Sequence, residues 1–171
     1  MKRIISLIVI MLMVVPSVMF AQKRKEVKAL MSSWNNYEVT TVKVANDGTK
    51  FVKVWGYGKK VDAAIIQAKK NAVHACLFRG LPGMESAMPT PPICKDPNAD
   101  TINEQYFQNF FVTGGEYLKY INVTSDGMPS GQDKREVKGG YKVAIYVQVM
   151  YDNLKHKMEE DNIVRKLSSG F

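Results

Sequence analysis

The sequence predicts an α+β fold, an antiparallel sheet of about four strands with two main helices packed on one face. Three observations carry that expectation. Residues 37–45 and 49–57 are dense in Val, Thr and aromatic side chains and flank Asn46-Asp47-Gly48, a strand–turn–strand pattern. Residues 61–78 repeat Ala64, Ala68, Ala72 and Cys76 every four positions, one face of a helix. Residues 140–151 alternate Tyr141, Val143, Ile145, Val147 and Val149 with Lys142, Ala144, Tyr146 and Gln148, and a second helical pattern follows.

In the first hairpin a three-residue loop places Val42 opposite Val52, and Gly48 supplies the positive φ of the turn. In the helix that follows, Ile65, Val73 and Leu77 flank the alanine stripe, while Lys69, Lys70 and Asn71 are placed toward water. Arg79-Gly80 is a stop signal. Residues 81–100 then hold five of the seven prolines, Pro82, Pro89, Pro91, Pro92 and Pro97. Such a segment sustains neither a helix nor a full ladder, and a loop of this length in a small domain is commonly functional. Pro89, Pro91 and Pro92 are therefore candidates for contact with a partner.

Residues 101–111 carry Tyr106, Phe107, Phe110 and Phe111 at helical spacing, and Gly114-Gly115 closes them off. Packing explains that cluster most simply, but Tyr106 and Phe110 are also candidates for an aromatic binding surface beside basic residues. Residues 116–124 read as a third strand, 125–136 as a polar loop and 152–167 as the closing helix, capped by Asp152 or Asn153, with Leu154 and Met158 on one face. Ile163, Val164 and Leu167 extend the apolar surface.

The N-terminus addresses the chain. Lys2 and Arg3 precede a largely apolar run over residues 4–15, Pro16 and Ser17 interrupt it, and Ala21 stands before Gln22. That is the layout of a secretory signal peptide over residues 1–21, and its apolar part is shorter than the roughly 20 residues of a spanning helix. The expected organisation is a signal peptide (1–21), a basic arm (22–36) and one α+β domain (37–171), with no transmembrane segment after cleavage. Export to the periplasm or the periphery of a bacterial outer membrane follows. The formal charge of +8 falls to +6 without Lys2 and Arg3. A basic exported protein meets acidic glycans and the cell wall before nucleic acid, which is not an expected partner.

Cys76 and Cys94 both lie beyond the signal, and in an oxidising compartment the expectation is a structural disulfide between them. Closing that loop contributes roughly 3 kcal/mol in the chain-entropy account. Neither cysteine is in a C-x-x-C pair, and His74 and His156 lack any metal-ligand spacing, so both histidines are expected at the surface or at helix ends. Glu159, Glu160 and Asp161 form a solvated acidic face rather than two carboxylates held across a cleft. No catalytic, cofactor-binding or metal-ligating set emerges, and the expectation is a protein that is not an enzyme.

The run Val54-Trp55-Gly56-Tyr57-Gly58, followed by Ala63-Ala64, Ala68, Asn71-Ala72 and Ala75, resembles the G-x-G and spaced-alanine unit of small exported envelope domains. Examples are the N-terminal domain of the flagellar outer-ring assembly protein and related short bacterial lipoproteins. The resemblance covers residues 50–79 and 138–167, and the lipid-anchor cysteine of those lipoproteins has no counterpart here. It implies a non-catalytic structural or adaptor role in a cell-envelope assembly, with an envelope protein as partner. The alternative is a periplasmic glycan- or peptidoglycan-binding module that uses an aromatic and basic surface.

Overall fold

Residues 37–44, 47–85, 88–124 and 128–165 are described in the computed structural model, all within the unit Trp34–Phe171. The expected signal peptide, the basic arm and Leu167 lie outside them.

The centre of the fold is β5 (Gly140–Val149), the longest strand. It pairs antiparallel with β2 (Lys50–Gly58) from Lys50↔Val149 to Gly58↔Tyr141. Its other edge is shared by β3 (Ile121–Val123) and β4 (Lys134–Val137), and β1 (Val39–Val44) closes the far side of β2. The result is an all-antiparallel sheet with the order β1-β2-β5-β3 and β4 beside β5. Strand alternation sends Val52, Val54, Val143, Ile145, Val147 and Val149 inward, each nearly or wholly buried.

The expected hairpin forms, but with a different register. Thr41, not Val42, pairs with Val52, and the ladder slips between Thr41 and Lys43. Val42 is the extra residue of a bulge and is 36% exposed. The inward slot goes to Thr41, whose hydroxyl donates to the Pro82 carbonyl at 2.6 Å.

Helix α1 (Val61–His74) runs across the inner face and widens into a π turn, Ala75–Arg79, closed by the Gly80 amide donating to the Ala75 carbonyl. Gly80 ends it at φ 75, as the stop signal anticipates. Ala64, Ala68, Ala72 and Cys76 have no exposed surface, so the four-residue stripe is the packing seam. Two glycines of β2 make the close approach: a Cβ on Gly56 would collide with the Ala64 carbonyl oxygen and the Ala68 nitrogen, and one on Gly58 with the Ala64 nitrogen. Asn71 departs from expectation. It is 1% exposed, and its Nδ2 donates to the Trp55 carbonyl at 2.9 Å while its Oδ1 accepts from Gln67.

The single helix expected over 101–111 is two, α2 (Ala99–Ile102) and α3 (Glu104–Phe110). Asn103 separates them: its backbone leaves the helical region at φ −111 and ψ 34, and its Nδ2 joins its own amide in donating to the Ala99 carbonyl. Residues 116–124 are only partly strand. Glu116–Tyr120 is a 3₁₀ turn, in which Tyr117 and Tyr120, three apart, both reach the core. β4 occupies part of the stretch that reads as polar loop, because an edge strand with mostly exposed side chains carries no apolar alternation. Helix α4 (Tyr151–Glu160) starts after Met150 without a side-chain cap; the Asp152 amide instead donates to the Gly48 carbonyl at 3.1 Å. Leu154 and Met158 are fully buried, and Ile163 and Val164 pack on the same core.

The proline segment is stitched to the body by backbone bonds. Leu81 and Thr90 exchange two, the Ile93 amide donates to Cys76 and the Cys94 amide to Leu77. Tyr151 donates its hydroxyl to the Pro91 carbonyl at 2.8 Å. No helix among the described residues is long and apolar enough to cross a membrane.

Candidate binding site on the outer sheet face

Strand alternation that sends valines inward sends a different set outward. On β2 these are Phe51, Lys53, Trp55 and Tyr57, and on β5 Lys142, Ala144, Tyr146 and Gln148. The register sets Lys53 against Tyr146, Trp55 against Ala144 and Tyr57 against Lys142, and β4 adds Arg135 beside Lys142. Ala144 is small and buried, so the wide indole of Trp55 can lie over its row. Except for Ala144, these β2 and β5 side chains are half-buried, and Arg135 is exposed.

Three cations converge on Trp55. Lys142 Nζ lies 4.7 Å from the ring centroid, Lys53 Nζ 5.5 Å and Arg135 Cζ 5.6 Å. Lys53 also sits 5.2 Å from the Tyr146 ring, and Lys142 5.7 Å from the Tyr57 ring. Like charges gathered so closely repel, and two features offset this. The negative faces of the rings attract cations by about 0.5–1 kcal/mol each at exposed sites. Two carboxylates also reach in: Asp133 to Lys53 at 2.5 Å and Glu38 to Lys142 at 2.5 Å. Asp133 Oδ1 is buried and otherwise without a hydrogen-bonding partner, so the Lys53 ammonium is what satisfies it. That bond from Asp133, with a smaller contribution from Tyr146 and against the effect of burial, raises the Lys53 pKa. Arg135 has no carboxylate partner among the described residues. The face thus presents aromatic platforms, fixed ammonium groups and one guanidinium whose charge is not matched.

The residues singled out in the sequence are distributed differently. Phe110 is 3% exposed and belongs to the core, where it stacks on Tyr120. Tyr106 is half-buried, its hydroxyl donating to Asp161 at 2.6 Å, and burial together with that bond raises its pKa. The aromatic cluster of α3 is therefore packing, and the aromatic and basic surface lies elsewhere, on the sheet. Pro89 and Pro91 are exposed and Pro92 is half-buried, with Met88 between them and the helix end 88% exposed. Cys76 and Cys94 are not bridged: both are free thiols, 0% and 4% exposed. The loop is held at the end of α1 as a disulfide would hold it, but the backbone bonds from Ile93 and Cys94 do so. Burial pushes the Cys76 thiol up to about 12 and the Cys94 thiol up to about 11, far from thiolate chemistry at neutral pH.

His74 is likewise not at the surface. It is 8% exposed, its Nδ1 2.8 Å from the Tyr37 hydroxyl, with Phe78 at 4.9 Å between ring centroids. Burial, reinforced by the nearby Arg79 charge, lowers its pKa to about 4, so it is neutral at pH 7. Among the described residues no three His, Cys, Asp or Glu side chains gather as metal ligands would.

The outer face was accessible to sequence reasoning only in part. The period-two pattern of Phe51, Lys53, Trp55 and Tyr57 is visible, as is that of Lys142, Tyr146 and Gln148. Their juxtaposition depends on β2 lying beside β5, a pairing across about 90 residues that no local signal encodes. No family model, curated protein or solved structure matches the chain.

Proposed function

We propose that this chain is a non-catalytic, exported domain of the bacterial cell envelope that works by binding, and that the outer face of its sheet holds an envelope glycan. The observation that carries the reading is Trp55, half-buried on an open strand face between Tyr57, Tyr146 and three cations. A pyranose ring has a C–H face that is removed from water against an indole or phenol ring, and hydroxyls that need polar neighbours. Gln148, which donates to Thr49 at 2.9 Å, and the lysines supply such neighbours along the same face. The signal-like layout of residues 1–21 supports the reading, since export would bring the protein to a compartment where glycans are abundant.

The test is a titration of the mature protein with peptidoglycan fragments and envelope polysaccharides, followed by intrinsic tryptophan fluorescence and by thermal shift. A ligand at 100 times its dissociation constant raises stability by about 2.7 kcal/mol. Trp55→Ala is expected to weaken binding more than about tenfold, and Trp55→Phe to keep most of it. Unchanged melting and fluorescence across the panel would remove the reading.

A second reading, an adaptor that presents the proline segment to an envelope protein, is favoured by Met88. An 88% exposed methionine beside exposed Pro89 and Pro91, on a loop tied down at both ends, is a ready anchor for a partner. Capture of one defined envelope protein by the wild type and its loss with Met88→Asp would support it; equal capture by both would refute it.

A further inference from the structure

We infer that the glycan held on the outer sheet face is acidic, and that Arg135 on β4 receives its carboxylate beside Trp55. The inference rests on the glycan reading above and deepens it by naming the class of sugar and the residue that selects it.

Charge complementarity carries the argument. Lys53 and Lys142 approach Trp55 as partners of Asp133 and Glu38, each pair closed at 2.5 Å within the chain. Their side chains are recessed, 26% and 14% exposed, so they form a fixed floor rather than free ligands. Arg135 differs in both respects. It is exposed, and among the described residues it contacts the Trp55 ring and no carboxylate. A guanidinium on an aromatic face keeps the donors of its edge directed outward, and that fork matches the two oxygens of one carboxylate.

Placement adds to this. β4 runs along β5 with Arg135 level with Lys142, and Lys142 is level with Tyr57 on β2. Arg135 thus reaches across β5 to the indole. A saccharide lying on Trp55 and Tyr57 would have its edge at β4, where a ring carboxylate meets the unmatched charge of Arg135. A neutral sugar would leave three cations crowded around the indole, whereas a uronate supplies the missing counter-charge. Arg135 is then the specificity-determining residue, and Trp55 the platform.

The experiment measures binding of oligogalacturonate and of the same oligomer after reduction of its carboxyl groups, by calorimetry, to the mature wild-type protein. Arg135→Gln, Arg135→Lys and Trp55→Ala are measured alongside, with polyglutamate as a polyanion that has no sugar ring. The acidic oligomer is expected to bind about tenfold or more tighter than its reduced form. Arg135→Gln should erase that gap without changing the melting temperature, Arg135→Lys should restore part of it, and polyglutamate should bind weakly. Equal binding of the two oligomers, or a gap that survives Arg135→Gln, overturns the inference. If Trp55→Ala still abolishes binding in those cases, the glycan reading stands without it. Polyglutamate binding as tightly as oligogalacturonate overturns it in favour of charge alone, and binding of neither oligomer overturns it together with the reading it rests on.

Discussion

His74 sits where a charge is costly. The folded chain holds it neutral with a pKa of about 4 against 6.5 for an ordinary histidine, through burial first and the Arg79 charge second, with Asp100 opposing. Between those values the unfolded chain binds a proton that the folded chain refuses. Stability is therefore complete above pH 6.5, falls as pH drops through that window, and is lower by about 3 kcal/mol below pH 4. Urea melts between pH 7 and pH 4 should show that loss, and His74→Phe, which keeps a ring among Tyr37, Phe78 and Phe111, should flatten the dependence. Gly56 is the other position at which one atom decides much. Its missing Cβ is the space occupied by the backbone of α1 at Ala64 and Ala68. Gly56→Ala must push the helix off the sheet and is expected to cost about 3 kcal/mol, the upper end for overpacked cores, as read by denaturant midpoint.

At the scale of elements, α1 is tied to β2 by a side-chain hydrogen bond. Asn71 on the buried side of α1 donates to the carbonyl of Trp55, whose side chain lies on the opposite face of the sheet. Asn71→Leu leaves that carbonyl without its side-chain donor, and a loss of about 1–3 kcal/mol is expected from chemical denaturation. On the glycan reading proposed above, the same variant is expected to bind the glycan more weakly, while Lys69→Ala, on the same helix, is expected to bind it as the wild type does. The proline segment is organised by neighbours of a different kind. Its carbonyls at Pro82 and Pro91 accept from Thr41 and Tyr151, so β1 and α4 hold it from two sides. Tyr151→Phe should accelerate proteolytic cutting near Met88 without shifting the global unfolding midpoint by more than about 1 kcal/mol.

At the scale of the whole molecule, cohesion comes from one apolar core shared by sheet, α1 and α4, with the aromatic cluster of α3 attached at the end of α1. Phe78 and Phe107 meet edge to face at 4.9 Å and join the two parts. No covalent cross-link contributes, since both thiols are free within that core. A native sample is therefore expected to react slowly with a thiol reagent at pH 8, and the denatured chain to release two thiols without added reductant. Fewer than two would reveal a bridge.

Much of this architecture is legible from residue order because it rests on local periodicity. The alanine stripe, the Gly80 stop, the hairpin glycine and the β5 alternation each describe a few neighbouring residues, and backbone geometry alone turns them into a helix seam, a cap, a turn and a strand. The α+β class follows from their succession. Tertiary structure decided the rest. It placed Val42 in a bulge because Thr41 could satisfy its hydroxyl inside, and it withdrew Asn71 and His74 from water because partners awaited them there. It took Phe110 into the core and assembled Trp55 and Lys53 of β2 beside Tyr146, Lys142 and Arg135 of the β4–β5 hairpin, which lies far from β2 in the chain. Those outcomes depend on which surfaces remain exposed after the strands have paired, and strand pairing over long separations is selected by the shared core, not by any short stretch of residues.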